Sequence, residues 1–136
     1  MNKSKYSELR SKLREYRLLQ KEIECRTKYM ENFKETLIAP LPKSEKALRK
    51  VYKNIIDDMY AKVKILENKL NLLNTIIDKL EGNLRSVIYY RYVIGVSWIS
   101  LPEYMMYEQR TCQFYEKKAL EKIEKMNIDW ENGYVE

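Results

Sequence analysis

Gln109, Arg110, Gln113, Phe114 and Lys117 are separated by steps of three and four residues, the spacing that gathers side chains on one face of a helix. Their types suit the edges of paired bases. A guanidinium bridges O6 and N7 of guanine, a carboxamide pairs bidentately with adenine, and a phenyl ring meets the thymine methyl. Lys117, Lys118, Lys125 and Arg91 add cations of the kind that sit against backbone phosphates. The plainer alternative for each is an ordinary solvated side chain, and an exposed Phe114 equally suits a protein contact. Catalytic chemistry is poorly supplied. The chain has no His, which excludes a His general base, a His metal site and a Ser-His-Asp relay. Asp57 and Asp58 are adjacent and do not share a helical face, so they make a poor acid–base pair. No Gly-rich phosphate loop occurs. Cys25 and Cys112 lie far apart without a Cys-x-x-Cys partner, which gives neither a sulfur-bound zinc nor a disulfide framework. An enzyme is not expected, nor a metal or cofactor.

The elements that would position the candidate residues occupy SWISLPEYMMYEQRTCQFYEKKALEKI, residues 97–123. Ser97 reads as the N-cap of a short helix containing Trp98, Leu101 and Met105, and Tyr107 falls at the turn that follows. A second helix is expected over about residues 108–126, with Cys112, Tyr115, Ala119 and Ile123 inward. Before it, Leu84, Val87, Ile88 and Tyr92 line one face of a helix over 83–93, and Gly95 permits the next turn. Short helix, tight turn and polar-faced helix form a helix-turn-helix, a device that places a helix in the major groove of DNA.

Residues 1–81 read differently. Tyr6, Leu9, Leu13, Tyr16, Ile23, Met30, Phe33 and Leu37 form a heptad-like stripe, widened by Leu18 and Leu19, over one helix at about residues 4–36. Pro40 and Pro42 stop it. Ser44 is placed to cap a second helix over 45–79, with Glu45 adding negative charge at its start. The short connection predicts an antiparallel hairpin. Val51, Ile56, Ile65, Leu72 and Ile76 lie on a far flank that a lone hairpin leaves bare, which points to a second copy of the chain or to the C-terminal part. Gly82 suits a left-handed helix end, and Asn83 suits the cap of the next helix. The acidic tail, residues 127–136, is expected to be disordered; the alternative is that Trp130 and Tyr134 pack back onto the domain or anchor a partner. The fold class is all-α: a long hairpin for oligomerisation or partner binding over 1–81, then a three-helix domain over 82–126.

Charge is unevenly placed. The net charge is +6, but residues 1–80 hold 19 Lys/Arg against 11 Asp/Glu, while residues 81–136 hold 7 against 9. Because duplex binding is driven by phosphate neutralisation, this counts against an isolated C-terminal reader. The charged N-terminus lacks a signal-peptide core, and the apolar run at 87–101 is broken by Arg91 and too short to span a bilayer. A cytoplasmic protein of a bacterial host cell is expected.

The run YRYVIGVSW, followed by Leu101, Tyr107 and KKALEKI, resembles the phage late-gene transcriptional activators of the ArpU and RinA type, whose C-terminal part is similar to region 4 of sigma-70 factors. Glu116, Lys118, Ala119 and Leu120 match the Glu-x-Lys-Ala-Leu run of that region, and 109–114 fall where the family meets promoter DNA. The resemblance spans about residues 84–125. It implies a regulator that binds double-stranded promoter DNA, RNA polymerase or a related phage regulator, while the apolar far flank of the hairpin makes a homodimer the expected state. Three departures stand out: Pro102 replaces the usual Ala, Met106 the turn glycine, and Glu108 the capping Ser or Thr. They imply weakened DNA affinity, or a fold kept for a protein partner. A small terminase-like oligomer is a third reading.

Overall fold

A computed structural model describes residues 5–136, so the expected helix start at Ser4 lies outside the described residues. The first helix, α1 (Ser7–Phe33), continues through a π-helical turn, Lys34–Ile38. The proline-containing loop that ends it is held by Arg49, whose Nε donates to the carbonyl of Pro42 at 3.1 Å and whose Nη2 donates to that of Leu41. The returning helix, α2 (Lys46–Asp78), has Glu45 at its N-cap and no side-chain cap bond, so Ser44 does not cap it. Arg49 stabilises this end by binding the loop instead. Phe33 and Tyr52 meet edge to face, 5.6 Å between centroids, and close the distal end of the hairpin.

Three short helices follow: α3 (Gly82–Ile88), which runs into a π-helical segment at Tyr89–Ile94, then α4 (Leu101–Met105) and α5 (Gln109–Glu124). The helix expected over 83–93 therefore exists, but its second half is wound more loosely. It stops at Gly95, whose φ is +90°. Asn83 does not cap α3; its side-chain amide donates to the Tyr107 hydroxyl at 3.1 Å.

The open end of the hairpin, where α1 begins and α2 ends, shares one apolar core with the three-helix head, residues 82–126. Leu13, Tyr16 and Leu19 of α1 and Leu73, Ile76, Ile77 and Leu80 from the α2 region join Val87, Ile88, Tyr92, Leu101, Cys112, Ala119, Leu120 and Ile123 in a single cluster. The far flank of α2 is accordingly split. Leu72 and Ile76 are buried in the core, whereas Val51 and Ile65 remain about half exposed.

The tail departs most from expectation. Residues 127–136 are not structureless: β1 (Ile128–Asp129) pairs antiparallel with β2 (Tyr134–Val135), with Ile128 opposite Val135. Turn chemistry explains it. The Asp129 carboxylate accepts from the Asn132 backbone N–H at 3.0 Å and from its side-chain amide at 2.8 Å, and Gly133 takes φ +76°. Those bonds hold the Asp129 carboxyl below its usual range. Ile128 and Trp130 pack against the shared core, and the Lys12 ammonium lies 4.7 Å from the Trp130 ring centroid.

Candidate nucleic-acid interface

The local bonding around α4 shows how the sequence builds the motif. The Ser100 N–H donates to Ser97 Oγ at 3.2 Å, and the Leu101 N–H donates to the Ser97 carbonyl at 2.9 Å. Pro102 has no N–H to continue this ladder, so regular α-helix begins at Leu101 rather than just after Ser97. Ser97 still opens the turn, and proline sits in the first helical turn, where a missing donor is tolerated.

Met106 ends α4 in the left-handed region, at φ 63° and ψ 32°. Among the described residues it is the one non-glycine residue with positive φ. The turn conformation that glycine would adopt freely is thus kept with a side chain present. The Met106 side chain is 84% exposed, so it gains little burial in compensation. Replacing Met106 by Gly should stabilise the protein by about 1 kcal/mol by removing this strain. Thermal unfolding would show a midpoint raised by roughly 4 °C; an unchanged or lowered midpoint would contradict the assignment of strain.

Glu108 is the N-cap of α5, in extended conformation and without a side-chain cap bond. Tyr107 steadies the turn: it accepts from Asn83 and stacks edge-on against Tyr115 at 5.3 Å. On the inner face of α5, Cys112, Ala119 and Ile123 are buried and Tyr115 is half-buried, as their spacing requires. The Cys112 thiol is pushed up by burial.

Glu116 and Leu120 are also inward. Glu116 is 3% exposed although it carries a carboxyl group. Its carboxylate accepts from Arg10 Nη2 of α1 at 3.0 Å and from the Tyr92 hydroxyl. The bond to Glu116 raises the Arg10 guanidinium despite partial desolvation. Burial, reinforced by the Glu116 charge, pushes the Tyr92 phenol well above its usual value. A group whose folded pKa is raised stabilises the fold fully below its unfolded value, near 10 for tyrosine, and that contribution is lost as pH rises toward the folded value. Stability should therefore decline above about pH 10, and Tyr92→Phe should shallow the decline. Urea melts at stepped alkaline pH would reveal this; an identical decline in Tyr92→Phe would contradict it.

On the outer face, Gln109, Arg110, Gln113, Phe114 and Lys117 are all exposed. Arg110 and Lys117, two turns apart, lie along its middle, flanked by Gln113 and Phe114. Gln113 and Lys117 also line a cleft with Arg91, whose Nη1 donates to the Val96 carbonyl at 3.3 Å and whose guanidinium lies 5.1 Å from the Trp98 ring centroid. The structure thus brings Arg91, Gln113 and Lys117 together. Lys118 lies to the side, 3.6 Å from Glu121 and over the Phe114 ring. Lys125 is at the C-cap, roughly 24 Å along the helix from Gln109, and does not join the group. Among the described residues no cluster of His, Cys, Asp or Glu is placed to hold a metal ion, and no helix is long and apolar enough to cross a membrane.

Comparison with protein-family models, with curated proteins and with solved structures gives no match to this chain.

Proposed function

We propose that the protein is a phage or phage-derived transcriptional regulator that sets α5 against the major groove of promoter DNA, acting in the bacterial cytoplasm. The observation that carries this reading is the two-sidedness of α5. Its inner face is fixed in the shared core, while Gln109, Arg110, Gln113 and Lys117, with the ring of Phe114 among them, form an exposed and mostly polar face next to the motif's turn. Arg110 and the two glutamines read base edges, and Lys117 and Arg91 meet phosphates. A homodimer accounts for the exposed apolar side chains of the hairpin, Tyr29, Val51 and Ile65, and would present two readers to DNA. Gel shift with promoter fragments at low salt tests the reading, and light scattering tests the dimer.

A second reading is favoured by one observation. Ile99, Tyr104, Met106 and Phe114 are exposed apolar side chains on or beside the motif. Such a surface suits a protein partner, RNA polymerase or a related regulator, bound without DNA. Recovery of that partner by the full chain, with no duplex affinity, would select this reading.

A further inference from the structure

Arg10, Arg14, Arg17 and Lys21 follow one another at steps of four, three and four residues, so they share one flank of α1 beside its apolar stripe. The fold lays the start of that flank along the head. Arg10 reaches Glu116 at 3.0 Å. The Arg17 guanidinium lies so close to Gly95 that a Cβ there would collide with it. Between these two, Arg14 faces a cleft of about 690 Å³ whose other wall carries Arg91 and Lys117.

Five cations line this cleft: Lys5, Arg10, Arg14, Arg91 and Lys117. The one carboxylate there, Glu116, is already engaged by Arg10 and Tyr92. Arg91 Nε is buried and has no hydrogen-bond partner among the described residues. That atom is closed to solvent, but Lys5, Arg14, Arg91 and Lys117 make no ion pair among the described residues, and an anion with several acceptor oxygens offsets such uncompensated positive charge. Guanidinium forks match phosphate in both geometry and charge.

We propose that this cleft is a phosphate-binding site and that α1 supplies half of it. The phosphate belongs to the backbone of a duplex whose groove receives the exposed face of α5, since Gln113 and Lys117 are common to the cleft and that face. This rests on the DNA reading and extends it: the basic hairpin lends its charge to an otherwise acidic head. A free phosphorylated small molecule has the same chemistry and is the other source to be distinguished.

The test is duplex titration of the full chain across a range of salt concentrations, with Arg14→Gln compared against Lys43→Gln, the same charge change in the distal loop. Arg14 is exposed, so its replacement leaves the fold intact. Loss of one phosphate contact should lower the slope of log K against log salt by about 0.9 and weaken binding to all sequences alike. Lys43→Gln should do neither. In parallel, thermal melts compare inorganic phosphate with chloride at matched ionic strength, for wild type and Arg14→Gln. If duplex binds with a slope that Arg14→Gln does not alter, the inference is overturned and the DNA reading stands. If no duplex binds, but phosphate raises the melting temperature of wild type and not of Arg14→Gln, the phosphate site stands with a free ligand and the DNA reading falls. Neither response overturns both.

Discussion

Glu116→Ala should destabilise the protein by about 3 kcal/mol, the largest single effect expected of a polar residue here. Glu116 is buried in the inner face of α5 and joins three elements: α5 itself, α1 through Arg10, and the π-helical segment through Tyr92. Truncation leaves the Tyr92 hydroxyl without its acceptor in a buried setting, a loss of about 1–3 kcal/mol, and opens a small cavity. Arg10 is 27% exposed and can turn to water, so its share is modest. Glu116→Gln keeps an acceptor for Tyr92 and should lose only part of this stability. Urea unfolding checks both variants. A loss below about 0.5 kcal/mol in Glu116→Ala would place Glu116 in solvent rather than in this network.

Ile76→Ala should cost about 3–4 kcal/mol and should destabilise hairpin and head together. Ile76 is 0% exposed and belongs to the cluster that unites both parts. In a Trp130→Phe background, Trp98 fluorescence reports on the head alone, while far-ultraviolet circular dichroism is dominated by the long helices. Both signals should shift to the same lower urea midpoint. Two separate transitions, with the Trp98 signal unmoved by Ile76→Ala, would show that hairpin and head fold independently.

The long helices were legible because their apolar spacing and the Pro40–Pro42 break are local signals, and so was the polarity of α5. Tertiary context decided the rest. Met106 in a left-handed turn reads as an obstacle in sequence, yet the packing of α4 and α5 imposes that conformation. Asn83 and Ser44 have capping side chains, but neither acts as a cap, and Asn83 bonds Tyr107 instead. The tail hairpin carries a signal in Asn132-Gly133, a pair that favours a tight turn, which the sequence reading of a disordered terminus overlooks. Glu116 stands one helical turn from Cys112 and close to Ala119, and a charge on an inward face requires partners; those partners are distant in sequence and could not be named from spacing. The arginine flank of α1 is a periodicity of the sequence that gains meaning only from the fold, because its neighbour Arg91 is brought beside it when the hairpin packs on the head.

The central claim is that the exposed face of α5 reads duplex DNA. Its most direct test is fluorescence titration of promoter duplexes at low salt with wild type, Arg110→Ala and a scrambled duplex as competitor. Wild type should bind with steep salt dependence, and Arg110→Ala should lose about 1–3 kcal/mol together with preference for the promoter over the scrambled sequence. Absence of wild-type binding at the lowest salt, or an Arg110→Ala variant with unaltered affinity and preference, would contradict it.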